Sequence, residues 1–261
     1  MTDPVRLLSG SRNVDIWLPE DDFDGSRPLL LMHDGQNIFK DEWAGFGHSW
    51  RVREAVESLR ALGRPLPVVV GVWNSGFTRA AEYVPQDVFE ANPSEAYGFL
   101  GEQQFAPLLG NAYQAELIER VIPMAKELAD ISADRRAVAV CGSSMGGLAS
   151  LYALAQYPET YGTALSLSTH WMASTSRNWR NLVAQLPTPD QGHRIWMDHG
   201  TDFIDAEYGP KQDIVNVELA RAGWAWPQIE SRVYIGTGHS ENVWSQRLPE
   251  ILRWWLEGME N

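Results

Sequence analysis

The chain has 261 residues, 44% of them hydrophobic, a formal charge of −13 and a single cysteine. That is enough apolar material for one large α/β domain spanning residues 1–261, and the acidity argues against a nucleic-acid surface, which needs clustered Lys and Arg. No run of about eighteen apolar residues could cross a membrane, Cys141 alone gives no disulfide framework, and Met1 to Gly10 lacks a signal-peptide pattern, so a cytoplasmic protein is expected.

Val14, Ile16 and Leu18 alternate as an edge strand, and Leu29 to Met32 reads as a buried one. Val52, Ala55, Val56, Leu59 and Leu62 fall at helical spacing and stop at Gly63, a C-terminal cap. Val68 to Val72 is a continuous apolar run, as in parallel strands buried on both faces. Residues 74–111 fit no regular period and carry Phe77, Arg79, Glu82, Tyr83, Phe89, Tyr97, Phe99 and Phe105. A long aromatic-bearing loop of this kind is expected to act as a cap or clasp beside a site. Leu117 to Leu128 marks a long helix that Pro123 should kink or break. Strands follow at Ala137–Cys141, Thr163–Ser168, Arg194–Met197 and Ile229–Ile235, with helices at Leu148–Gln156 and Leu248–Glu257. Such alternation implies a mostly parallel sheet with helices on both faces.

Between the Ala137–Cys141 strand and the helix after it stands Gly142-Ser143-Ser144-Met145-Gly146, then Gly147. Strand, G-x-S-x-G and helix in direct succession form a nucleophile elbow, a tight turn that holds its serine in a strained, exposed conformation. Ser144 is therefore the candidate nucleophile. A neutral hydroxyl needs an oriented base, and the chain order in this architecture is serine, acid, histidine. His170 follows the serine too soon, His193 follows a Pro/Asp/Gly loop, and His199 ends the preceding strand, where the acid belongs. His239, on a glycine-rich loop beyond the last strand, is the candidate base. For the acid, Asp198 lies nearest the strand end and reads as a structural cap; spacing leaves Asp202 and Asp205 even. A tetrahedral intermediate needs two N–H donors. Met145 supplies one, and Gly35 or Gln36 after the early strand the other, with Gln36 preferred.

Four stretches resemble one family: Leu29 to Asn37 (Leu-Leu-Leu-Met-His-Asp-Gly-Gln-Asn); Gly142 to Leu148, with Ser-Met-Gly-Gly at its centre; Asp198-His199-Gly200-Thr201 through Asp205-Ala206-Glu207-Tyr208; and Gly238-His239-Ser240-Glu241 followed by Trp244. The chain is similar to the putative-esterase branch of the α/β-hydrolases, which holds esterase D, enterochelin esterases, feruloyl and acetylxylan esterases, and the mycolyltransferases. The resemblance implies an α/β-hydrolase fold. It also selects Asp205, because relatives with the long Gly-Thr-x-x-x-Asp loop carry their acid there, although many members place it where this chain has Phe203. It further implies that Arg79 and Glu82-Tyr83 lie near the site; an Arg79–Glu82 pair in a structural clasp is the alternative.

Twelve tryptophans are unusually many. Most read as core or helix-packing residues, for example Trp254 and Trp255. Trp171, placed where relatives carry a substrate-facing aromatic, and then Trp73 are the expected pocket walls. The reading is a serine ester hydrolase working through an acyl-enzyme, with no metal or organic cofactor. Its expected substrate is a small-molecule or oligosaccharide ester, best an acyl, acetyl or feruloyl ester of a carbohydrate. Acyltransfer to an alcohol and a non-catalytic carbohydrate-binding module are the alternatives.

Overall fold

Successive residues of the central strands serve opposite faces. Leu29, Leu31, Val138 and Val140 join one apolar cluster, while Leu30, Met32, Ala139 and Cys141 join another. Strands apolar on both sides are what a parallel sheet between two helical layers requires. The structure, a computed structural model, describes residues 2–95 and 107–260. Its strands are β1 (Val5–Ser9), β2 (Arg12–Trp17), β3 (Leu29–His33), β4 (Val68–Val72), β5 (Val138–Ser143), β6 (Thr163–Leu167), β7 (Arg194–Gly200) and β8 (Ile229–Tyr234). They form one sheet in the order β1-β2-β4-β3-β5-β6-β7-β8, parallel from β4 through β8 and antiparallel at β1 and β2. This is the α/β-hydrolase arrangement. The edge strand is β1, not the Val14–Ile16 strand expected there. Val14 and Ile16 are fully buried because Val5 to Ser9, exposed along most of its length and patternless in sequence, pairs outside them.

The helices are α1 (Val52–Glu57), α2 (Arg79–Tyr83), α3 (Gln86–Ala91), α4 (Gly110–Glu116), α5 (Ile122–Leu128), α6 (Met145–Gln156), α7 (Ser176–Gln185), α8 (Gly209–Arg221) and α9 (Glu241–Glu257). The apolar sides of α1 and α9 cover one face, and those of α4 to α8 the other. Pro123 does not break its helix. A π-turn over Leu117–Val121 links α4 to α5, with the Ile122 N–H bonded back to the Leu117 carbonyl, and Pro123 follows at the start of α5. The widened turn absorbs the amide that proline lacks. Helix α9 begins at Glu241, ahead of the apolar run from Leu248 that made it visible in the sequence. Among the described residues no helix is long and apolar enough to cross a membrane.

Candidate active site

β5 ends at Ser143 and α6 begins at Met145, so Ser144 alone turns the chain, at φ 57° and ψ −123°. A non-glycine residue held there costs about 1–3 kcal/mol and persists only when its surroundings impose it. Three backbone bonds do so. The Ser144 N–H donates to Leu167 O at 2.9 Å, and Ser144 O accepts from Gly147 N at 3.0 Å and His170 N at 3.1 Å. The turn is tight enough that a Cβ on Gly142 would stand 2.7 Å from the Gly146 carbonyl oxygen, and one on Gly147 would stand 2.8 Å from both Ser166 Oγ and Thr169 Oγ1. Gly146, the second glycine of the pentapeptide, has 3.4 Å to its nearest neighbour. The steric requirement falls on Gly142 and Gly147.

His239 reaches the same pocket from the loop after β8. Its Nδ1 lies 2.6 Å from Asp205 Oδ1. The other oxygen of Asp205 accepts from the Gly200 amide and from Ser168 Oγ, both at 2.7 Å. Burial alone would raise the pKa of this fully buried carboxyl, but the bonds from His239, Ser168 and Gly200 outweigh it and hold the group below the usual carboxylate range. Asp202 is exposed and accepts from its neighbour Thr201. Phe203, in the slot where many relatives carry the acid, takes φ 55° and points into solvent. Asp198 lies within β7 and is tied to α9, with Arg247 Nη1 on Oδ1 at 2.8 Å and Trp196 Nε1 on Oδ2 at 2.9 Å. Ser168 takes Trp244 Nε1 at 3.0 Å, and the Trp244 ring stands edge-on to His239 at 4.8 Å. The start of α9 therefore braces both imidazole and acid.

After β3 the chain turns at Asp34, left-handed at φ 55°, into Gly35-Gln36-Asn37. A Cβ on Gly35 would overlap the Gly71 backbone, so Gly35 serves the close approach of this loop to β4 while Gln36 faces the pocket. Met145 follows Ser144 as the first residue of α6, where N–H groups lack helical partners. Arg79 pairs with Asp34 rather than Glu82, Nε and Nη2 each reaching one carboxylate oxygen at 2.7 Å. Asn74 adds a bond of 2.6 Å. Burial pushes the Asp34 pKa up, but the Arg79 charge and these bonds bring it below the ordinary value. Glu82 is taken by Arg12 at 3.0 Å.

The pocket has a volume of about 610 Å³. Its floor is Ser143, Ser144 and His239; Phe46, Trp50 and Trp244 form an aromatic side, and Gln36, Asn37, Asn74, Arg79 and Glu241 a polar one. Phe46 sits on a loop whose ends are closed by the Trp50 N–H bond to Asn37 O at 2.9 Å. Glu241 accepts from Asn37 Nδ2 at 3.1 Å, and burial raises its pKa.

The two tryptophans expected to wall the site do not. Trp171 is completely buried, its ring edge-on to Trp179 at 5.3 Å and its Nε1 aimed at Gln212 Oε1, because the turn after β6 folds it under α7 and α8. Trp73 donates to Asp15 Oδ2 at 2.7 Å and lies under the Arg6 guanidinium. Trp50 and Phe46, which supply the aromatic wall, had no local motif to mark them. Of the 74–111 segment, Asn74, Gly76 and Arg79 face the pocket, whereas Tyr83, Val84, Val88 and Phe89 are core. Tyr97, Phe99 and Phe105 lie outside the described residues. Among the described residues, no group of three or more His, Cys, Asp or Glu side chains is placed to hold a metal ion.

The chain is 21% identical to the uncharacterized protein YbbA of Bacillus subtilis, over 94% of this chain and 93% of that one. It is 29% identical to the iron(III) enterobactin esterase of Dickeya dadantii, over 93% of this chain and 52% of the relative. Among solved structures, the enterobactin esterase of Shigella flexneri, crystallised in the presence of enterobactin, superposes with a TM-score of 0.69 at 21% identity, covering 94% of this chain and 55% of that one. A ferulic acid esterase superposes at 0.62 and 17% identity, with 96% of each chain covered. The chain thus spans about half the length of the enterobactin esterases it matches. The family described as Putative esterase matches residues 6–255, nearly the whole sheet and every residue of the pocket; the chain belongs to this family of α/β-hydrolase-fold esterases.

Proposed function

We propose that the chain is a serine carboxylic-ester hydrolase in which Ser144, His239 and Asp205 act together. The observation that carries this reading is the 2.6 Å contact between His239 Nδ1 and Asp205 Oδ1, in a pocket shared with the strained Ser144. An ionised Asp205 keeps the imidazole proton on Nδ1 and leaves Nε2 as base. As Ser144 Oγ attacks the ester carbonyl, its proton passes to Nε2 and the carbonyl π pair moves onto oxygen. The N–H groups of Met145 and Gln36 take up that oxyanion. His239 then protonates the leaving alcohol, and later accepts a proton from the water that releases the acyl group. These steps require no cofactor.

For substrate, an ester joining an acyl group to a carbohydrate or another polyhydroxylated alcohol fits the pocket. The volume suits a small molecule; Phe46, Trp50 and Trp244 offer flat apolar contact to an aromatic acyl group or sugar face, and Asn37, Asn74 and Glu241 offer hydrogen bonds. The name of the ferulic acid esterase among its structural neighbours supports an aromatic acyl group. The test is fluorophosphonate labelling, followed by a panel of feruloyl-sugar, acetyl-sugar and nitrophenyl esters with competing alcohols present. Label on Ser144 and faster turnover of the feruloyl sugar support the reading. Absence of label returns the chain to a binding role, and acyl products on the added alcohol indicate transfer.

A further inference from the structure

Beside the Ser144 elbow lies a second histidine with a tyrosine. Tyr208, just before α8, is completely buried, and its hydroxyl is 2.8 Å from His170 Nδ1. The two rings meet edge-on at 5.9 Å. The same hydroxyl adjoins the Ser144 side chain, and the phenol ring stands edge-on to His239 at 5.7 Å. His170 is anchored to the elbow independently, its backbone N–H bonding to Ser144 O at 3.1 Å. Tyr208 and His170 thus adjoin Ser144 beside the proposed acid–base pair, and the steps proposed for hydrolysis use neither.

We infer that Tyr208 is a further catalytic residue, donating its O–H to Ser144 Oγ as the oxygen loses its proton, with His170 positioning the phenol from behind. The inference rests on the hydrolase reading. In the step concerned, the Ser144 O–H bond breaks, its proton goes to His239 Nε2, and an Oγ lone pair forms the bond to the acyl carbon. Tyr208 keeps its own proton throughout and supplies a hydrogen bond to the oxygen on which charge develops. The same bond assists when Oγ departs during deacylation. Two features suit the phenol to this task. Burial and the nearby Asp205 charge raise its pKa, so it remains protonated. Burial also lowers His170 to about 4, keeping that ring neutral, and in the tautomer with its proton on Nδ1 it donates to the phenol oxygen at 2.8 Å. His170 follows Ser144 closely in the chain. That closeness makes it unsuitable as the general base and suits it to hold a group against the elbow.

The experiment compares wild type, Tyr208→Phe, His170→Asn and the double variant for the second-order rate of fluorophosphonate labelling, with kcat and KM for a nitrophenyl ester. Labelling needs the activated oxygen but no leaving alcohol, so it isolates this step. Tyr208→Phe keeps the ring against His239 and should slow labelling and kcat together by about 10²-fold, the lower range for loss of one preorganised donor, with KM nearly unchanged. The double variant should lose no more than Tyr208→Phe alone; additive losses would overturn the role given to His170. Labelling of Tyr208→Phe at or above the wild-type rate overturns the proposal, since the phenol would then only pack or would hold the serine proton away from His239. Should Tyr208→Phe fail to fold, fluorotyrosine at position 208 gives a second reading: a stronger O–H donor must speed labelling, and no change refutes the role. Wild type that takes no label fails the hydrolase reading itself, and this one with it.

Discussion

Gly200 and Thr237 lie back to back, so close that a Cβ on Gly200 would overlap the Thr237 carbonyl oxygen. That oxygen accepts the Thr201 and Asp202 amides at 2.9 and 3.0 Å. The loop bearing Asp205 and the loop bearing His239 are therefore clamped together backbone to backbone, which fixes the reach from one side chain to the other. Gly200→Ala should push the loops apart and lower kcat by at least tenfold while the sheet survives, because a misplacement of about 1 Å suffices for such losses. A variant with wild-type kcat would show that the histidine loop finds its place without the clamp.

For the nucleophile, Ser144→Ala is expected to abolish hydrolysis and labelling with the fold intact. Ser144→Gly should go further and raise the melting temperature, since glycine adopts a positive φ without the strain that serine bears. Label migrating to Ser143 would reassign the nucleophile.

Asp205→Asn should reduce turnover by roughly 10⁴-fold, the scale seen when the acid of such a triad is neutralised and the imidazole tautomer reverses. Asp202→Asn, on an exposed side chain bonded only to Thr201 among the described residues, should stay near wild type. Steady-state kinetics of the pair decides; equal losses would mean that the loop matters for shape alone.

Trp171→Ala is predicted to cost stability, about 3–5 kcal/mol for a fully buried indole, without altering the preference between bulky and small esters. Trp50→Ala, on the pocket wall, should shift that preference at smaller cost. Denaturant titration and the ester panel read the two effects separately, and a selectivity change in Trp171→Ala would restore it to the pocket.

Acid stability should follow Asp34. Its folded-state pKa lies below the ordinary carboxylate value, so the stability it contributes is complete above about pH 4 and is lost as pH falls through the lowered pKa. The gap in melting temperature between wild type and Asp34→Asn should be widest near neutrality and close toward pH 3. A gap constant with pH would mean that Asp34 acts by shape and not by charge.

What the sequence revealed follows from how local each signal is. The elbow was legible because strand, turn and helix are adjacent and their chemistry is dictated within ten residues. His239 was legible by elimination. Asp205 was not separable from Asp202 by spacing, since the choice depends on which carboxyl the Gly200 amide and Ser168 hold inward. Strand β1 was hidden because an exposed edge strand needs no apolar alternation. The pocket wall was least legible. Trp171 and Trp50 look alike in a sequence, and only packing under α7 and α8 separates a core indole from one facing the site.

The loop that carries Phe46 is closed at its base by the Trp50–Asn37 backbone bond, downstream of Gln36 and remote in sequence from Ser144, Asp205 and His239. Residues 40–48 can therefore be treated as a cassette between the buried Phe39 and Ser49. A stretch of different length or aromatic content grafted between Phe39 and Ser49 should leave the proposed oxyanion donors and proton path in place, and because a long surface loop adds little closure entropy as it grows, the scaffold should tolerate the exchange. New substrate ranges could arise on this chain by rewriting that insert while the chemistry is inherited unchanged.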